Sequence, residues 1–216
     1  MEGMDWVMCG IRKVDYSNKV QTVDWASCVL RASTADEVKG IMKFVTSRSG
    51  FGYIYNKLYK TEIIRENNIF YPTEFNVSED SFFTILFFLH VKSLCLIPNV
   101  SYIYGINNVN SISAAKYKPA SQFLFSAIAH DKLVNCELER SVWLYAFSRC
   151  IKMYVRCFGI CFLYPLRVFP LRDRTKMLFN CTKSFFCSNS MRKHLFLSIR
   201  FFFVHIRSYL RRMNEQ

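Results

Sequence analysis

The net charge of this chain is confined to its C-terminal part. Through residue 139, fourteen Lys and Arg stand against fourteen Asp and Glu; residues 140 to 216 carry fifteen Lys and Arg against two acids, Asp173 and Glu215. Unpaired charge cannot be packed into a core. The two parts must therefore be built differently: a neutral domain, then a basic, aromatic extension whose cations face water or an anionic partner. With 51% hydrophobic and 17% aromatic residues among 216, the chain can bury a core large enough for one domain with an appendage, and its composition excludes disorder. Nine cysteines without a Cys-x-x-Cys pair fit neither a disulfide framework nor a common zinc site, and the opening MEGMDWVMCG lacks the regions of a signal peptide. The chain reads as cytoplasmic, with reduced thiols.

Element types alternate in the neutral part. DWVMCGI (5–11) and KVQTVDW (19–25) are short and β-rich and read as strands. STADEVKGIMKFV offers Ser33 or Thr34 as an N-cap and sets Val38, Ile41, Met42 and Val45 at helical spacing. KTEIIRENN (60–68) predicts a short helix closed by Asn67 and Asn68, and the apolar segment from Glu79 to about Val91 predicts another. Two short strands are expected around SLCLIP and VSYIYGI, and NNVNSISAAKYKPAS (107–121) reads as a loop.

Two adjacent carboxylates, Glu79 and Asp80, open that apolar segment. With Ser78 as N-cap, Val77 and Phe82 would form a hydrophobic staple and the carboxylates would meet the positive end of the helix dipole, for roughly 0.3 to 1 kcal/mol each. Yet a helix carrying Phe82, Phe83, Ile85, Leu86, Phe87 and Phe88 is apolar on every side and belongs in a core, so its first turn opens into a cleft. A carboxylate held rigidly there can accept a proton from a bound hydroxyl. On the residues alone, both uses of the pair stand.

Residues 56 to 113 carry several signs in order: Asn56-Lys57-Leu58-Tyr59-Lys60 before an amphipathic helix, Tyr71-Pro72, Glu79-Asp80 at a helix start, a strand ending in Tyr102-x-Tyr104, then Ser111-Ile112-Ser113. In this order and spacing the segment resembles the second half of a family 2 glycosyltransferase with the GT-A fold. The resemblance implies an α/β domain over residues 1–120, an incomplete GT-A-like mixed sheet with flanking helices, followed by a basic α-helical extension over 121–216. It also implies inverting transfer from a nucleotide sugar to a glycan or lipid-linked acceptor, as in cell-surface polysaccharide synthesis. Asp80 would be the base and Glu79 the alternate, with Tyr102, Tyr104, Ser111 and Ser113 on the substrate side. The nucleotide-binding half, with the Asp-x-Asp that holds Mg or Mn, would lie upstream and span about 100 residues. No Asp-x-Asp occurs in this chain, so no metal or other cofactor is expected in it alone and it should be inactive by itself. Gly105 departs from the family's pattern, in which a basic residue often follows the second tyrosine.

Other residues have simpler readings. His90, inside the apolar segment, fits a core or boundary histidine. Cys150, Cys157 and Cys161 fall near one helical face without further ligands and read as small buried groups. Tyr102 and Tyr104 alternate on a strand and share a face, where each can pack or line an acceptor site.

The tail MRKHLFLSIRFFFVHIRSYLRRM (191–213) sets Lys193, Arg200, Arg207 and Arg211 along one helical stripe, with Phe196, Phe203 and Leu210 on another part of the helix. Its longest apolar run, Phe201 to Val204, is far too short to span a bilayer. A basic helix rich in Phe and Leu suits an anionic membrane surface, which would place the protein peripherally on the inner face of the cell membrane. The other reading packs the apolar faces on the domain and leaves the cations in water. Residues 142–164, with Arg149, Lys152 and Arg156 on one side, repeat the design. No nucleic-acid motif is visible and none is expected as a partner. The rival to sugar transfer is a non-catalytic basic module that binds membrane or a partner protein.

Overall fold

A computed structural model describes residues 3–14, 20–23, 28–48, 50–105, 119–163 and 171–214. The chain divides into two compact units: Met1–Tyr71 with Asp80–Tyr117 and Glu139–Val142, and Pro72–Glu79 with Lys118–Leu138 and Trp143–Gln216. Among the described residues they are a mixed α/β fold, with a sheet and flanking helices in the first unit and helices without strands in the second.

In the first unit, five strands form one mixed sheet: β1 (Trp6–Val14), β2 (Val20–Val23), β3 (Leu30–Ala32), β4 (Lys57–Tyr59) and β5 (Leu94–Gly105). β1 is its axis. β5 lies parallel along one edge of it; along the other, β4 pairs antiparallel with Trp6–Met8 and β2 with Ile11–Val14. β3 pairs antiparallel with Leu94–Leu96 on the far side of β5. The two strands expected at SLCLIP and VSYIYGI are thus one. Met8 pairs with Leu96 and Gly10 with Val100, so Ile97, Pro98 and Asn99 face the single residue Cys9. The irregularity houses Pro98, which has no N–H to give a ladder, and lets the strand continue past it.

The first helix, α1 (Ala35–Thr46), starts at a full capping box. Thr34 accepts from the Glu37 N–H at 3.4 Å, and the Glu37 carboxylate accepts from the N–H groups of Ser33 and Thr34 at 2.9 and 3.1 Å. After α2 (Thr61–Glu66), Asn67 caps and Asn68 takes a left-handed φ of 49°, as Asn tolerates. The apolar helix, α3 (Glu79–Phe88), ends three residues earlier than the apolar run suggests. The Asp5 carboxylate accepts from the N–H groups of Lys92 and Ser93 at 2.9 and 3.0 Å, which pulls the chain out of the helix and into β5. At the other end, Ser78 has φ 62° instead of the extended backbone of an N-cap. Nor is α3 buried all round: Ile85, Phe87 and Phe88 are buried, while Phe82, Phe83 and Leu86 are half-buried. Its buried side meets Trp6, which has no exposure and lies within 5.9 to 6.1 Å, ring to ring, of Phe51, Phe87 and Phe88. Such aromatic pairs add about 0.5 to 1.5 kcal/mol each beyond simple burial.

The second unit holds α4 (Ala120–Val134), α5 (Arg140–Leu163) from Trp143 onward, α6 (Leu171–Cys187), α7 (Asn189–Lys193) and α8 (Leu195–Asn214). Its core includes Phe147, Ile151 and Tyr154, beside a half-buried cluster of Phe158, Phe185 and Phe202 with rings 6.2 to 6.5 Å apart. Several polar atoms inside are hydrogen-bonded, while the Ser190 hydroxyl is buried with no partner among the described residues. Nδ1 of the fully buried His130 donates to the Ser126 carbonyl at 2.8 Å, and Ser188 donates to Asp131 at 2.7 Å while capping α7. None of the nine cysteines is disulfide-bonded, and Cys150, Cys157 and Cys161 are buried, as small apolar groups would be. Among the described residues, no helix is long and apolar enough to cross a membrane.

Candidate functional site

The site begins with a lysine turned inward. β4 alternates so that Leu58 is 67% exposed while Lys57, beside it, is 8% exposed. The inversion is held by hydrogen bonds. Asn56 clasps β1, its Nδ2 donating to the Cys9 carbonyl at 2.8 Å and its carbonyl accepting from the Cys9 N–H at 3.0 Å. The Lys57 ammonium then donates to the Gly50 carbonyl at 3.0 Å, to Asn56 Oδ1 at 2.7 Å and to the Tyr53 carbonyl. All three acceptors lie on the segment 50–56. Burial drives the Lys57 pKa down to about 7, against the fields of Cys9 and Asp80, which favour the charged form.

That segment carries Tyr53 and Tyr55, which stack with the two tyrosines of β5. Tyr55 lies 4.5 Å from Tyr102, 4.9 Å from Tyr53 and 5.1 Å from Tyr104, with the rings within 20° of parallel. Lys13 sits over the Tyr53 ring at 5.5 Å. With neighbours stacked on its faces, Tyr55 has only edge and hydroxyl left to offer. That hydroxyl is buried without a hydrogen-bond partner among the described residues, and burial, then the neighbouring tyrosines and Asp80, push its pKa up. Its ring borders a cavity of about 260 Å³, also lined by Cys9, Asn56, Lys57, Ser101 and Tyr102. The cavity lies at the irregularity between β1 and β5, where the ladder is interrupted opposite Cys9. It therefore combines polar groups with an apolar wall, the usual make-up of a small-ligand site.

Asp80, in the first turn of α3, is half-buried and accepts a hydrogen bond from the Tyr71 hydroxyl. It is not among the residues lining the cavity, but its charge acts on Lys57, Tyr55 and Tyr59, and burial followed by the field of Asp80 raises the Tyr59 pKa. Of the residues singled out in the sequence, Tyr102 and Tyr104 stack on Tyr55, while Asp80 acts on it through its charge. Glu79 precedes Asp80 at the helix start and is also half-buried. Ser111 and Ser113 lie outside the described residues. Asn56, Lys57 and Tyr55 were not singled out for the site, although the run Asn56-Lys57-Leu58-Tyr59-Lys60 was; the missed signal is a lysine on the same strand face as Tyr59. Among the described residues no three of His, Cys, Asp and Glu converge to hold a metal ion.

No family model matches the chain. In sequence and in fold it is similar to a glycosyltransferase. That protein is poly(ribitol-phosphate) beta-N-acetylglucosaminyltransferase TarS of Staphylococcus aureus, strains Mu50 and MW2, 23% identical over 86 residues, which are 39% of this chain and 15% of TarS. The crystal structure of TarS residues 1–349 superposes with a TM-score of 0.51 at 13% identity, covering 94% of this chain and 56% of that one. The chain therefore spans a little over half of the crystallised part of TarS and a small fraction of the whole.

Proposed function

We propose that this chain is the acceptor-side portion of an inverting nucleotide-sugar glycosyltransferase of family 2 with a GT-A fold, serving cell-surface polysaccharide or glycolipid synthesis from the cytoplasmic side. The observation that supports the reading is the setting of Asp80: a carboxylate in the first turn of a half-buried helix, fixed by Tyr71, whose field reaches the Lys57 and Tyr55 that line a cavity. The similarity to TarS supports the same class.

In this reading an acceptor hydroxyl attacks the anomeric carbon of the donor. Its oxygen forms the new glycosidic bond, its proton passes to a carboxylate oxygen of Asp80, and the bond to the nucleoside diphosphate breaks on the opposite face. Glu79 is the alternate base. Tyr102 and Tyr104, with Ser111 and Ser113, contribute to the acceptor side. The donor, and the Mg or Mn that neutralises its diphosphate, are held by a nucleotide-binding half outside this sequence, and the chain alone is inactive.

The test joins this chain to such a half, by fusion or co-expression, and measures turnover per folded molecule. Asp80→Asn keeps the shape and removes the proton acceptor. It is expected to lower turnover by a factor of about 10² to 10⁴ while leaving donor affinity nearly unchanged. Glu79→Gln should act more mildly. Full activity in Asp80→Asn would leave the pair as a helix start and nothing more.

A further inference from the structure

Two helices of the second unit repeat one pattern. On α6, Lys176 precedes Phe179 and Lys183 precedes Phe186, each by three residues; on α8, Arg200 precedes Phe203 and Arg207 precedes Leu210 by the same three. All eight side chains are exposed, the apolar ones by 68%, 62%, 64% and 45% in that order. A step of three sets each cation beside its apolar partner on one helix face, and the step of seven between pairs aligns them in a stripe. Phe196, 80% exposed, carries the α8 stripe one further step of seven toward the N-terminus.

A ladder of rings joins the two stripes. Phe186 lies 5.3 Å from Phe185, Phe185 lies 6.2 Å from Phe202, and Phe202 lies 6.3 Å from Phe203. The inner two rings are half-buried between the helices and the outer two are exposed, so Phe186 and Phe203 flank a single seam. The tail thus packs one aromatic face inward and keeps a second outward. Large rings gathered at the surface mark an interaction site, and none of the four cations has an acidic partner among the described residues.

We infer that α6 and α8 form one membrane-docking face, which lays both stripes in the interface of an anionic bilayer. The alternation of charge and ring selects this partner. A second copy would set like charges against each other. A nucleic acid would engage the cations through phosphates, but no strand platform offers the rings to its bases. A lipid interface meets both needs, with phosphate headgroups around Lys176, Lys183, Arg200 and Arg207 and the acyl boundary around the rings. No residue of the sheet unit takes part, so the inference stands or falls apart from sugar transfer.

The experiment is flotation of the full chain with vesicles of phosphatidylcholine alone and of phosphatidylcholine mixed with phosphatidylglycerol. Binding is expected to the mixed vesicles only, and to weaken as salt rises to physiological strength, where screening acts over about 8 Å. The pairs Phe179→Ser with Phe186→Ser, and Phe203→Ser with Leu210→Ser, keep every charge and should each weaken binding about tenfold or more. Arg200→Gln with Arg207→Gln should weaken it and flatten its salt dependence. All replaced side chains are exposed, so the melting temperature should hold. Equal flotation with both vesicle types, none with either, or serine variants that float like the wild type would overturn the inference. So would lipid-free self-association, or RNA binding, that the serine pairs abolish while vesicle binding is absent.

Discussion

The Tyr71 hydroxyl donates a hydrogen bond to Oδ1 of Asp80, tying the turn before Pro72 to the first turn of α3. The two residues are nine apart, and the bond spans the loop that delivers the chain into the helix. It holds one carboxylate oxygen in place; in the proposed reaction the carboxylate takes the acceptor's proton.

Tyr71→Phe removes that hydroxyl and keeps the ring against Phe83, 5.8 Å away. Hydrogen bonds to charged groups contribute about 1.5 to 3 kcal/mol, but Tyr71 is 42% exposed and water can replace the donor. Stability should therefore fall by less than about 1 kcal/mol. In the joined enzyme, turnover should drop by roughly tenfold, less than for Asp80→Asn, because the acceptor group survives and only its orientation is loosened. Thermal melting and single-turnover rates check the two parts of the prediction.

Lys57 gives a stability trend that runs upward with pH. Its pKa is about 7 in the folded chain against the ordinary 10.5, so between those values the unfolded chain holds the extra proton. Folding then becomes more favourable as pH rises, by up to about 1.4 kcal/mol per unit. Tyr59 and Cys150 shift in the opposite sense at higher pH, so the comparison is made against Lys57→Met, which lacks the titration. The stability of wild type relative to this variant, from denaturant unfolding, should grow between about pH 7 and about pH 9. A difference that stays flat would show that Lys57 is not buried as described.

His130 gives the acid limb. Burial, then the charge of Arg149, lowers its pKa from 6.5 to about 4, although its bond to the Ser126 carbonyl favours the proton. Between these values the unfolded chain again binds the proton, so stability falls as pH drops from about 6.5 to about 4, by on the order of 3 kcal/mol in all. His205, lowered to about 4 by burial and then Lys152, acts in the same direction. His130→Leu has no proton to take up there. Its stability relative to wild type should rise on acidification, read by urea midpoints at about pH 7 and about pH 4.5.

Much of the local structure was legible because it depends on neighbours in sequence. Thr34 and Glu37 are three residues apart and form the capping box wherever the helix goes. The turn at Asn67 and Asn68 follows in the same way from residues that tolerate a left-handed backbone. The unbroken β5 was not legible. Pro98 reads as a strand breaker, and only the partner strand, by offering Cys9 opposite three residues, lets the chain run through it.

At the candidate site the division is sharper. The sequence determined that Glu79 and Asp80 open an apolar helix, and that Tyr102 and Tyr104 share a strand face, since both follow from helix and strand periods alone. It determined equally that every excess cation lies after residue 139. Only the tertiary structure decided that Lys57 turns inward while Leu58 turns out, because carbonyls of Gly50 and Tyr53, brought close by the clasp between Asn56 and β1, outweigh the preference of each side chain taken singly. It alone stacked Tyr53 and Tyr55 on the tyrosines of β5, and it alone sorted the tail's rings into Phe202, packed inward, and Phe203, left outside. A helix period states which residues share a face, but which face meets the core depends on what the rest of the chain has already covered.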